Sequence, residues 1–204
     1  MRGACTIGVD IGGTKLLAGL VDEGMAVHRR AVRRVPRDDQ AALLDTLVDA
    51  VEEVAEGAPG RVSAVGLGVA CVFDRRRSVA VSSVHLPLVG VALEAVVGER
   101  LGLPVVADND ATAATLAEWR HGAARGADDA LLLTLGTGVG GGLVVGGALA
   151  RGALGAGGEL GHVVVDANGP RCQGRCPNRG CLEAFVSGPA LGRAGARVGA
   201  QRPA

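Results

Sequence analysis

The chain has 204 residues, enough for one large domain or two small ones. At 48% hydrophobic and 21% charged it has the composition of a globular protein, outside the disordered range. Its 21 basic residues balance 21 acidic ones, which excludes a global electrostatic footprint for nucleic acid or an anionic membrane and leaves only local basic patches.

Aromatic residues are limited to Phe73, Trp119 and Phe185, so Val, Leu and Ala must build the core. No stretch approaches the roughly 20 apolar residues that span a bilayer. Residues 1–10 lack the long apolar run of a secretory signal, which makes the cytoplasm the expected compartment. In that setting five cysteines are expected as thiols or metal ligands rather than disulfides.

In chain order, residues 5–10 form a short apolar run ending on a carboxylate, Asp10. Gly12-Gly13 predicts a turn, residues 16–21 a second strand and residues 25–35 a third. The period then changes. Leu43, Leu44, Leu47, Val48, Val51 and Val54 fall at helical spacing over residues 38–56, with Asp38 or Asp39 as cap. A buried strand is expected at 62–70, a helix at 91–101, a strand at 104–107, and a helix at 108–120 capped by Asp108 or Asn109. Three strands followed by alternating helix and strand read as an α/β layer architecture.

The polar stretch 121–129 marks a boundary, giving lobes at 1–120 and 121–204. After it come a strand at 130–135, a Gly-rich turn, a strand at 143–145 and a further segment from Leu149. The recurring strand, Gly turn, strand order points to two lobes of related topology.

Asp10-Ile11-Gly12-Gly13-Thr14-Lys15 brings a carboxylate to a strand end, followed by two glycines whose N–H groups an anion can approach closely. Thr14 adds a hydroxyl and Lys15, the only lysine, a charge. This reads as a phosphate cradle on a hairpin, without the spacing of a Walker A loop; an ordinary β-hairpin turn is the plain alternative. In the second Gly-rich stretch, Gly136, Gly138 and Gly141 satisfy G-x-G-x-x-G. The dinucleotide fingerprint needs a helix next, whereas Leu143-Val144-Val145 follows, so the Rossmann reading fails. Two Gly/Thr hairpins, with Thr14 in one and Thr137 in the other, are a pair suited to clamping the phosphates of a nucleotide.

Asp110 follows a buried strand and opens a helix, where the helix dipole favours the ionised form. That suits a base accepting a hydroxyl proton during phosphoryl transfer, and simple N-capping is the alternative. Glu159 and His162, three residues apart, could reach one polar ligand, with Glu183 further along; surface solvation of Glu159 or His162 is the plain alternative. Cys172, Cys176 and Cys181 lie in a Gly/Pro-rich loop with His162 ten residues upstream. Cys₃His is a closed structural zinc set, and reduced or redox-active thiols are the other reading. Cys5 and Cys71 are expected in apolar strands as core thiols.

Taken together, these residues resemble the ROK family of sugar kinases and repressors. The resemblance runs from Asp10-x-Gly-Gly-Thr-Lys15 through Asn109-Asp110-Ala111 and Gly136-Thr-Gly-Val-Gly-Gly-Gly142, then Gly158-Glu-Leu-Gly-His162 and the loop ending Gly180-Cys-Leu-Glu183. It implies an actin-like, ribonuclease H-like ATPase fold in two lobes, the second incomplete, with the active site in the cleft. Asp110 matches the catalytic base. Asn109, Glu159, His162 and Glu183 match the sugar contacts. His162, Cys172, Cys176 and Cys181 match the zinc ligands. Asp10, Gly12, Gly13, Thr14, Lys15, Gly136, Thr137 and Gly138 match the nucleotide-binding loops. The implied activity is ATP-dependent, Mg²⁺-assisted phosphorylation of a hexose, with glucose at its 6-hydroxyl the leading candidate. A homodimer is implied by the resemblance alone.

The chain departs from the family pattern at four points. Cys172 and Cys176 are separated by three residues where the family has C-x-C. Gly68-Val69-Ala70-Cys71 stands in place of Gly-x-Pro-Gly, and His85 in place of an Asn before Leu-Pro. Both of these changes bear on the sugar side. The sequence also stops short of the family's length, which predicts a C-terminally truncated chain ending in a poor helix terminus. A non-catalytic sugar-binding remnant and a kinase for N-acetylmannosamine or fructose are the competing expectations. A ROK repressor is disfavoured, because nine residues precede Asp10 and the net charge is zero.

Overall fold

The computed structural model describes residues 3–74, 78–83, 85–174 and 176–200. The chain end, expected to terminate a helix poorly, lies outside them from residue 201. The chain divides into two units, Met1–Ala113 and Ala114–Ala204.

The first unit is built on a five-stranded sheet ordered β3-β2-β1-β4-β7. Strands β1 (Ala4–Ile11), β2 (Lys15–Asp22) and β3 (Val27–Arg34) form an antiparallel meander. Strand β4 (Arg61–Val69) pairs parallel with β1, and β7 (Val105–Asn109) pairs parallel with β4. Strict alternation in β1 buries Cys5, Ile7, Val9 and Ile11 and turns Thr6, Gly8 and Asp10 to the other face. Helix α1 (Gln40–Ala55) covers the buried face with Leu43, Leu47, Ala50, Val51 and Val54. Asp39 is its cap, accepting from the Ala41 and Ala42 amides. Helix α2 (Leu93–Leu101) adds Leu93 and Val97 to the same core and ends on Gly102 in the left-handed region.

A short hairpin, β5 (Val72–Asp74) with β6 (Val79–Ser82), was not expected from the sequence. Its strands are too short to show a period. Cys71 is buried as predicted, but in the bend before β5 rather than in a strand.

Helix α3 (Asp110–His121) begins in the first unit and continues into the second. The second unit holds a three-stranded antiparallel sheet, β10 (Ala148–Leu149), β9 (Val139–Val145) and β8 (Ala130–Leu135). Strand β9 starts earlier than its apolar run, because Gly140, Gly141 and Gly142 pair with Thr134, Leu133 and Leu132 instead of lying in the turn. Two of these glycines make room for neighbours. A Cβ on Gly141 would lie 2.7 Å from Leu160 Cδ1, and one on Gly142 would overlap the Thr115 hydroxyl. A 3₁₀ turn (Leu160–His162), α4 (Glu183–Val186) and α5 (Gly188–Ala200) complete the unit. Among the described residues no helix is long and apolar enough to cross a membrane.

Candidate functional site

In the first unit the predicted residues gather at the carboxyl ends of the parallel strands, where open α/β sheets bind ligands. Asp10 pairs in register with Gly68 on β4, and Val69 with Asn109 on β7. The absence of a side chain at Gly68 matters here, since a Cβ would sit 3.5 Å from the Asp110 Cα. Asn109 caps α3, its Oδ1 accepting from the Thr112 amide at 3.0 Å while its Nδ2 donates to the Cys71 carbonyl at 3.3 Å. Asp110 is half-buried, and its Oδ1 accepts from the Ala111 amide at 2.9 Å.

Electrostatics tie the two carboxylates together. Desolvation first, then the like charge of Asp110, raise the Asp10 carboxyl above its ordinary value, and Lys15 opposes them. The Cys71 thiol is pushed up to about 12, by burial first and then by Asp110 and Asp108, so it stays protonated and poorly nucleophilic.

The turn from β1 to β2 carries Gly12, Gly13, Thr14 and Lys15. Gly12 donates to the Lys15 carbonyl at 3.0 Å, closing the hairpin. His85 packs over the turn, and a Cβ on Gly13 would lie 2.7 Å from the His85 Cβ. Ser83 positions that segment, its hydroxyl donating to the Ala70 carbonyl at 2.6 Å and accepting from the His85 and Leu86 amides. Arg37 also reaches the turn, donating to the Gly13 carbonyl and to Thr14 Oγ1. Nothing in the sequence marked Arg37, which lies in the connection between β3 and α1 without a periodic pattern.

In the second unit the other Gly/Thr turn joins β8 to β9. The Gly136 amide donates to the Gly138 carbonyl at 2.9 Å, and the Gly136 carbonyl accepts from Gly188 at the start of α5 at 2.8 Å. A strand follows the turn, as the rejection of the Rossmann reading required. Glu183 is buried at 9% exposure and its Oε2 accepts from the Val139 amide at 2.8 Å. Its Oε1 accepts from Cys172 Sγ at 3.8 Å. Glu183 therefore sits between the Gly-rich turn and the cysteine loop. Glu159 and His162 lie together at the 3₁₀ turn, with Glu159 Oε2 3.9 Å from His162 Nε2.

His162, Cys172, Cys176 and Cys181 converge, with one ligand atom from each inside a cluster no wider than 4.8 Å. The Cys172 Sγ to His162 Nδ1 distance is 3.4 Å, and Cys176 Sγ to Cys181 Sγ is 3.9 Å. Tetrahedral zinc, with bonds of about 2.3 Å to sulfur and about 2.0 Å to nitrogen, places its ligand atoms about 3.5–3.8 Å apart. The donor set and spacing fit that ion. Isolated bridges Val164 to Cys181 and Arg171 to Arg179 shape the loop. Gln173, inside the enlarged Cys172–Cys176 spacing, donates to the hydroxyl of fully buried Ser187 at 2.7 Å.

The model of the ROK family matches residues 6–202. Glucokinase of Streptomyces coelicolor is 39% identical over 191 residues, covering 92% of this chain and 58% of the relative. N-acetylmannosamine kinase of Citrobacter koseri is 35% identical over 195 residues, covering 93% of this chain and 63% of the relative. Among solved structures, a ROK family glucokinase from Streptomyces griseus in complex with glucose and AMPPNP superposes with a TM-score of 0.85 at 40% identity, over 97% of this chain and 62% of that one. The chain thus spans about three-fifths of the length of these relatives. The chain has the actin-like sugar kinase fold of these neighbours, as the family resemblance implied.

Proposed function

The chain belongs to the ROK family, and on that premise we propose that it serves ATP-dependent phosphorylation of a hexose, with glucose as the first candidate. The observation that carries the reading is the register that sets Asp10 beside Gly68 and Gly68 beside Asp108 at the carboxyl ends of the parallel strands, with the Asp110 backbone against Gly68 and the Gly12–Lys15 turn following β1. Two carboxylates close enough to repel, with a lysine and a glycine turn alongside, suit a site where a hydroxyl meets a phosphoryl group.

Asp110 is the base in this reading. Its carboxylate takes the proton from the sugar hydroxyl as the oxygen bonds to the terminal phosphorus and the bond to the leaving diphosphate breaks. Asn109 and Asp110, and separately Glu159 and His162, are the residues assigned to sugar contacts in this reading. Glu183, whose oxygens already meet Val139 and Cys172, supports its neighbours as much as it touches sugar. Gly12, Gly13, Thr14 and Lys15 form one turn assigned to phosphate binding, and Gly136, Thr137 and Gly138 form another.

A magnesium ion bound with the nucleotide would neutralise phosphate charge, and Asp10 would be the carboxylate to hold it. Zinc held by His162, Cys172, Cys176 and Cys181 would cross-link the loop, leaving His162 Nε2 directed toward Glu159. The glucose and AMPPNP bound by the Streptomyces griseus neighbour support the choice of substrates, and the N-acetylmannosamine kinase relative keeps a second sugar in play.

The test is sugar-dependent ADP release across a hexose panel containing N-acetylmannosamine and fructose, beside Asp110→Asn. Turnover that falls by about 10²–10⁴-fold in the variant is the expected result. Turnover retained by Asp110→Asn overturns the assignment of the base. Sugar binding with no turnover in the wild type favours a second reading, a non-catalytic sugar-binding protein.

A further inference from the structure

The β1–β2 turn is held from behind by a residue outside every motif. Arg37 donates from Nε to the Gly13 carbonyl at 2.9 Å and from Nη2 to Thr14 Oγ1 at 3.0 Å. On the same stretch the Val35 amide donates to the Thr14 carbonyl at 3.1 Å. A planar guanidinium that engages two adjacent acceptors uses its fork geometry, which a lysine ammonium cannot reproduce.

Each of these bonds has a consequence on the opposite side of the turn. In a trans peptide the carbonyl and the following N–H point in opposite directions. Anchoring the Gly13 carbonyl to Arg37 therefore directs the Thr14 N–H away from Arg37. A hydroxyl has one proton and two acceptor sites. With one acceptor site of Thr14 filled by a cationic donor, its proton is left to donate. Arg37 thus sets two donors, the Thr14 N–H and O–H, in a turn that also carries Lys15.

We propose that Arg37 is a positioning residue that prepares this turn for a polyphosphate, acting through Gly13 and Thr14 rather than by touching the reacting atoms. This rests on the reading of the Gly12–Lys15 turn as a phosphate site and deepens it. An acceptor-only, multiply charged ligand is the chemistry that two aligned donors and a cation recognise.

The probe is inorganic tripolyphosphate, which has no base or sugar and reads the phosphate end alone. Its affinity for the full chain is measured by calorimetry for wild type, Arg37→Ala, Arg37→Lys and Thr14→Val, and for Thr14→Val combined with Arg37→Ala. Circular dichroism melting of each variant monitors folding. Arg37→Ala is expected to bind about tenfold more weakly with little change in melting temperature, and Arg37→Lys to recover only part of the loss. In the Thr14→Val background the Arg37→Ala effect should shrink, because one of its two acceptors is gone. Equal affinities for wild type and Arg37→Ala would overturn the inference while leaving the phosphate site standing. So would full rescue by lysine, or an undiminished effect in the Thr14→Val background. No tripolyphosphate binding by a folded wild type would overturn the phosphate reading of the turn, and Arg37's role with it.

Discussion

The buried carboxylate of Glu183 accepts the amide of Val139 across 44 positions of sequence, joining the first turn of α4 to the first residue of β9. Its other oxygen lies 3.8 Å from Cys172 Sγ, so the cysteine loop and the Gly-rich turn share one support. Glu183→Ala leaves a buried N–H without its acceptor and should cost about 1–3 kcal/mol of stability. Glu183→Gln keeps a carbonyl oxygen for Val139 and should lose less. Urea midpoints of the two variants decide this, and an alanine variant as stable as the glutamine one would show that the Val139 bond contributes nothing.

The glycines of the second motif separate into two classes. Gly136 has open space where a Cβ would go, whereas Gly142 would drive one into Thr115. Gly136→Ala should leave the melting temperature nearly unchanged while weakening nucleotide binding. Gly142→Ala should cost about 1–3 kcal/mol through overpacking. Differential scanning calorimetry with a nucleotide titration separates the two, and unchanged nucleotide affinity in Gly136→Ala would remove that residue from the phosphate site.

Asp10 gives a dependence on pH. Its carboxyl is held above the ordinary value of 3.8, chiefly by desolvation and then by Asp110. A carboxyl whose folded pKa is raised binds more protons folded than unfolded between the two values. Stability therefore falls as pH rises through that window and stays lower above it. Asp10→Asn should raise the melting temperature at neutral pH, and the gain should fade as pH drops through the raised value and below 3.8, where the wild-type group is protonated in both states. A lower melting temperature for the variant at neutral pH would mean the carboxylate is net stabilising in place.

Removing a thiol tests the metal cluster. Cys176→Ser should release zinc from protein purified with it and lower the melting temperature, while Cys71→Ser, outside the cluster, should leave zinc content unchanged. Metal analysis by mass spectrometry reads both, and full zinc in Cys176→Ser would exclude that ligand.

Much of this was legible in the sequence because its signals are local. The period of 43–54 and the cap at Asp39 determine α1, and the β-branched run after Gly142 correctly excluded a helix there. The four metal-binding candidates announced themselves by residue type, and the fold brings them together. What stayed hidden depends on contacts between distant segments. The clasp of Arg37 on the β1–β2 turn spans more than 20 positions and has no pattern of its own. The glycines of 140–142 were expected in the turn, yet they lie in β9, and Gly141 and Gly142 leave room there for Leu160 and Thr115. Glu183 was expected as a sugar contact, and its burial against Val139 and Cys172 could not be read because burial is a property of its neighbours.

The sheet order β3-β2-β1-β4-β7 also bears on how the chain assembles. The first three strands are joined by tight turns and can pair as soon as they are synthesised, whereas Ala4 meets Arg61 only after α1 has crossed over. Loop-closure entropy makes that parallel pairing a later event than the meander. Until β4 arrives, β1 keeps an unpaired edge beside freshly buried Ile7 and Val9, a template for wrong partners. The interval between α1 and β4 leaving the ribosome is therefore when this chain has most need of protection from its neighbours.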